Sequence, residues 1–267
     1  MKFLKKKKTK KLRIPVLSLI ITGVLLIIIT VLAFINYQKY DASISEYISG
    51  TITELIGIII TVIFVQVLFD KKSEKEESSD ERSDIKRMHN VLNLYINKYI
   101  MYFNCVASTL ENRNKSNVFK TGNFSIKDIC DLHKASLLTN EGMLTPSIDG
   151  FCEIEHKIRE YIITIIERID FKYYSKIGDI LMGYIHTSMQ YDSSGQLLNA
   201  KNMTSGGKPE IERASKMILE HGEDFFQEFL KGNRQTANMM HPYVFLFLMM
   251  QTEREILLRY LDEAQKI

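Results

Sequence analysis

The sequence predicts an all-α protein: an N-terminal two-helix transmembrane hairpin followed by a cytosolic helical bundle. Three observations carry this prediction. An uncharged run of 22 residues, Ile14 to Ile35, precedes a second apolar block at 48–69. From residue 85 onward, apolar residues recur at helical spacing. No segment shows the strict apolar–polar alternation of a half-buried strand. The composition, 45% hydrophobic and 25% charged over 267 residues, excludes wholesale disorder.

Residues 1–13 read as a basic cytosolic tail. Lys5, Lys6, Lys7, Lys8, Lys10 and Lys11, with Lys2 and Arg13, place eight positive charges there and no acid. Such a cluster binds anionic lipid headgroups at about 1 kcal/mol per residue. The first span follows at 14–36. Its uncharged run extends roughly 33 Å as a helix, against a hydrocarbon core of about 30 Å. It is too long for a cleaved signal sequence, and Asn36 to Lys39 offers no small-residue cleavage site.

The second span, 48–69, contains one ionisable residue, Glu54. Lysines flank the pair of spans on the outer sides, with only Lys39 between them. The positive-inside rule then places both termini in the cytoplasm and the protein in the inner (plasma) membrane as a multi-pass chain. Tyr37, Tyr40 and Tyr47 fall at the outer interface.

Gly50, Glu54, Gly57 and Thr61 lie on one helical stripe. Small residues there let a second helix approach closely, and an ionisable group in a span marks a functional position. The expected partner of Glu54 is Thr30, at equal depth in the first span, or Glu54 of another copy. Membrane lipids and a second copy of the chain are thus the expected partners, with a further cytosolic protein or nucleic-acid partner of unspecified identity.

Residues 70–84 have no apolar side chain after Asp70 and form a charged stalk, helical or flexible. The helical domain is 85–267. Ile85, Met88, Leu92, Ile96, Tyr99, Phe103, Val106 and Leu110 mark its first helix. A polar loop follows at 112–123. Ser125 and Asp128 form an N-terminal capping pair for a short helix ending near Leu138. Pro146 opens a helix whose face runs from Ile148 to Ile169. A further helix covers 171–190, 192–208 is loop, and Pro209 and Pro242 open the last two helices. Tyr243 to Met250 is apolar on every side and too short to span a bilayer, so it reads as a buried central helix. The segment from Lys71 to Ile267 carries 26 basic and 28 acidic residues, a net −2, which opposes nonspecific nucleic-acid binding.

Catalytic signals are sparse. No phosphate-binding loop, nucleophile elbow or dinucleotide fingerprint is present, so no cofactor is expected. Cys130 and His133, with Cys152 and His156, supply the ligand types of a tetrahedral zinc site but lack its usual spacings. Arg234 and His241, separated by six residues, resemble the Arg-x4–6-His signature of HEPN ribonucleases, which are helical bundles. The resemblance implies that this Arg and His flank a scissile phosphate. Gln235 and Pro242 depart from the family pattern, and Arg82 and His89 repeat the spacing.

The layout of residues 1–72 resembles bacterial two-span, membrane-anchored phage-defence effectors of abortive-infection or retron type. The resemblance is carried by the lysine-rich start, by Glu54-Leu55-Ile56-Gly57, and by the exit Phe69-Asp70-Lys71-Lys72. It implies a membrane effector or sensor whose helical domain recognises a signal and acts through the spans.

Overall fold

A computed structural model describes residues 13–37, 42–113, 117–135, 145–205, 207–232 and 239–267. The described chain is helical: α1 (Arg13–Tyr37), α2 (Ala42–Val106), α3 (Val118–Thr121), a 3₁₀ turn (Ile126–Asp131), α4 (Ser147–Ile166), α5 (Ser175–Gln190), α6 (Ser194–Ala200), α7 (Glu210–Leu230) and α8 (His241–Gln265). A two-residue antiparallel pair, β1 (Thr204–Ser205) with β2 (Lys208–Pro209), is the one sheet element among the described residues. The chain divides into two compact units, Met1–Ser79 and Asp80–Ile267.

The second apolar block, the charged stalk and the first domain helix are one helix, the 65 residues of α2. From Ile58 to Val106 there is neither glycine nor proline. The Lys and Glu of the stalk are strong helix formers, so nothing in it favours a break. In the first unit, α1 covers the predicted first span. The described residues do not form the close hairpin contact expected from the small residues. A side chain added at Gly23, Gly50 or Gly57 would meet open space. Two apolar helices gain little from each other by hydrophobicity when both face hydrocarbon, so close packing needs specific contacts.

The second unit is a helical bundle with one continuous core. The stripe of α2 from Ile85 to Val106 is buried, as are Phe151, Ile158 and Ile162 of α4 and Leu181 and Tyr184 of α5. In α8, Tyr243, Val244, Leu246, Phe247, Met249 and Met250 are buried, which matches the central helix expected from their unbroken apolarity. Tyr99 packs against Phe151 with ring centroids 5.1 Å apart, and Phe103 meets Phe119 edge-on at 5.2 Å. The Ser125–Asp128 capping pair forms, with the Ser125 amide donating to Asp128 Oδ2 at 2.7 Å, but it opens a 3₁₀ turn that ends at Asp131. α6 lies inside the predicted loop, because Leu197 and Ala200 find the core.

Gly150 is a point of close approach: a Cβ there would lie 2.2 Å from the Tyr102 ring. Overpacking of this kind costs about 1–3 kcal/mol. Gly150→Ala is therefore expected to lower the thermal unfolding midpoint of the detergent-solubilised chain by several degrees, and Tyr102→Leu in the same background to restore part of it.

Candidate functional site

Two features stand out as candidates: an exposed apolar helix and a buried carboxyl cluster. The first is the early part of α2. One helix in the described residues is long and apolar enough to cross a membrane, and only 6% of its most apolar window is buried. Thr22–Ile35 of α1 is apolar over a shorter described stretch. Ile56, Ile58, Ile60, Ile63, Phe64, Val65, Val67, Leu68 and Phe69 are all exposed. A core helix of a water-soluble domain buries such residues, so this surface calls for an apolar partner.

Within that helix Glu54 and Gly57 are exposed, and the Thr61 hydroxyl donates back to the Gly57 carbonyl at 2.9 Å. The Thr30 hydroxyl donates to the Leu26 carbonyl at 2.8 Å. Each threonine hydroxyl thus donates within its own helix. Lys5, Lys6, Lys7, Lys8, Lys10 and Lys11 lie outside the described residues.

The second feature lies in the centre of the bundle. Glu253 of α8 is fully buried, and Glu155 of α4 nearly so. The Tyr99 hydroxyl of α2 donates to Glu253 Oε2 at 2.7 Å, and Ser188 of α5 donates to Glu155 Oε1. The Tyr184 hydroxyl lies close enough to Glu253 to favour its charge, yet neither it nor Glu253 Oε1 has a partner in good hydrogen-bond geometry. Burial, and then the neighbouring Glu155, push the Glu253 carboxyl well above the usual range. Burial pushes Glu155 up too, while Ser188 and Arg159 oppose it. Arg159 is itself tied to Asp192 by a 3.0 Å ion pair. Four helices thus meet around two carboxyl groups, and the buried charge is reduced by keeping Glu253 protonated.

This cluster was missed in the sequence although a signal was present. Phe151, Glu155, Ile158 and Ile162 follow one stripe, as do Leu246, Met250, Glu253 and Tyr260, so each glutamate takes an apolar position.

The proposed zinc ligands are not brought together. Among the described residues no three His, Cys, Asp or Glu side chains are grouped to hold a metal. Cys130 and Cys152 are buried thiols, pushed up to about 11 and about 12 chiefly by burial. The His133 Nε2 meets the Tyr243 hydroxyl at 3.2 Å, and burial lowers its pKa to about 4. His156 is on the outside of α4, between Arg159 and Glu160. Cys152 and His156 therefore point to different environments.

Of the HEPN-like pair, Arg234 lies outside the described residues. The His241 ring stacks on Phe245 at 5.7 Å and meets Phe229 edge-on at 5.6 Å. The repeat of the spacing is engaged separately: Arg82 Nε donates to the Ile267 carbonyl at 2.8 Å, and His89 Nδ1 meets the Tyr260 hydroxyl at 3.2 Å. No known protein family, curated protein or solved structure matches the chain.

The carboxyl cluster fixes the sign of a pH response. Glu253 and Glu155 hold their protons to higher pH in the folded chain than in the unfolded one. Stability is then full below the ordinary glutamate range, about pH 4.3, and declines as pH rises through their elevated folded values. The slope per coupled proton approaches about 1.4 kcal/mol per pH unit. In denaturant titrations from pH 5 to 8, Glu253→Gln is expected to flatten this decline, whereas Glu253→Ala strands the Tyr99 hydroxyl and destabilises at every pH.

Proposed function

We propose that this chain is a membrane-anchored effector or sensor. Its apolar helices cross the inner membrane as a two-span hairpin with both termini in the cytoplasm. The helical unit recognises a signal or partner on the cytosolic side and acts through the spans, in the manner of a phage-defence effector. The observation that carries this reading is the exposed run of large apolar side chains from Ile56 to Phe69, on the same helix that enters the bundle core at Ile85.

Several features support the details. Eight positive charges precede the first apolar helix, and Lys71 and Lys72 follow the second. Gly50 and Gly57 have open space around them, which leaves the Gly50–Thr61 stripe available to a second copy of the chain. Glu54 in such an interface is desolvated and needs a hydrogen-bond partner on the neighbouring helix, which marks it as a functional position. The net −2 of residues 71–267 makes a protein or small-molecule signal a better match than nonspecific nucleic acid.

The test is membrane potential in bacteria expressing the full chain, its Glu54→Ala variant, and residues 80–267. The full chain is expected to fractionate with the membrane and depolarise the cells, Glu54→Ala to insert but depolarise weakly, and residues 80–267 to leave the potential unchanged. A membrane-inserted full chain that never alters the potential, or growth arrest from residues 80–267 alone, overturns the proposal.

A further inference from the structure

The point where α2 enters the helical unit has contacts that neither the core nor the membrane role requires. Glu81 lies one helical turn before Ile85, the first core residue of α2. Its carboxylate accepts from the backbone amide of Tyr173 at 3.1 and 3.2 Å and from that of Tyr174 at 3.1 Å. Tyr174 is the N-cap residue of α5, and its own side chain makes no capping bond. The backbone amides of the two residues that lead into α5 are thus satisfied by a carboxylate from another helix, at the positive end of the α5 dipole.

The next residue faces a different helix. Arg82 donates through Nε to the Ile267 carbonyl at 2.8 Å, just beyond α8. Lys176 of α5 and Glu263 of α8 join the same two helix ends with a 2.5 Å contact. Consecutive residues of α2 therefore hold the start of α5 and the end of α8. The segment leading into α5 is also strained. Phe171 has φ +48°, a left-handed conformation rare for a bulky aromatic residue. It is held against Gly178, where a Cβ would lie 3.0 Å from the Phe171 side chain. A strained segment persists only where its surroundings hold it. Here they include an exchangeable polar contact at Glu81.

We propose that Glu81 is a release latch. It holds the start of α5 in the resting protein, and its detachment from Tyr173 and Tyr174 passes a change in the bundle along α2 to the apolar segment. This inference rests on the membrane-effector reading above. Glu81 carries the latch, because its backbone partners are partly buried and the bonds are charge-assisted. Arg82 is exposed, where such contacts contribute little. Glu81 lies outside the buried stripe that begins at Ile85, so the polar joint opens while that stripe stays packed.

The test uses the full chain in phosphatidylethanolamine–phosphatidylglycerol nanodiscs and in cells. Glu81→Ala is compared with Glu81→Gln, which keeps one acceptor, and with Glu76→Ala, which removes an exposed stalk carboxylate. Amide hydrogen exchange at Tyr173 and Tyr174 is expected to quicken about tenfold in Glu81→Ala and by less in Glu81→Gln, with the amides of Leu92 and Ile96 unchanged. In cells, Glu81→Ala is expected to depolarise at a several-fold lower inducer level than wild type, and Glu76→Ala at the same level.

Unchanged exchange at Tyr173 and Tyr174 overturns the latch whatever the cells do. Faster exchange with an unshifted threshold, in cells that wild type depolarises, overturns the latch and leaves the effector reading standing. Absence of depolarisation by wild type and by both Glu81 variants overturns the effector reading, and the latch with it.

Discussion

The hydrogen bond from Tyr99 to Glu253 is the contact on which the bundle turns. A carboxyl group at the centre of an apolar core has few places to go, and its one well-formed bond fixes where α2 stands along α8. A sliding of either helix by one residue breaks that bond and leaves both groups buried without partners. Apolar stripes tolerate small shifts in register because dispersion is non-directional; a buried polar contact does not. The tyrosines, phenylalanines and isoleucines around it then supply the bulk of the stabilisation. The polar contact selects one arrangement among those the apolar residues would accept.

The cost of that selection is borne by protonation rather than by pairing with a cation. Arg159 lies near Glu155 and pairs with Asp192, while burial and the neighbouring Glu155 push the Glu253 carboxyl well above its usual range. A fully buried ion pair would require both charges to shed water and would demand close geometry from two long side chains. A protonated glutamate beside two tyrosines needs only that its pKa rise, which burial itself accomplishes.

Much of the fold is legible in the sequence. Uncharged runs, proline starts at Pro146, Pro209 and Pro242, and the stripe from Ile85 to Val106 mark real helices, because burial periodicity and backbone chemistry agree there. The joins were harder. A charged segment such as 70–84 has no hydrophobic period to read, so its helicity rests on propensity and on the lack of a breaker. α6 was hidden because Ser193-Ser194-Gly195 reads as a turn, while only two buried side chains, Leu197 and Ala200, define the helix. Candidate sites were less legible still. Cys130, His133, Cys152 and His156 have the right chemistry for zinc, but ligand types say nothing of convergence. Glu155 and Glu253 occupy positions on apolar stripes, a signal carried by spacing rather than by any motif. The latch contact joins residues 92 positions apart, and no local pattern announces it.

The buried thiols give the chain a built-in clock. Cys130 and Cys152 are hidden in the core and held in the protonated, unreactive form, so the folded protein resists alkylation. Each becomes reactive only when its part of the bundle opens. Because Cys152 sits on α4 and Cys130 in the 3₁₀ turn, the order in which the two are modified reports which part of the bundle loosens first, with no label introduced.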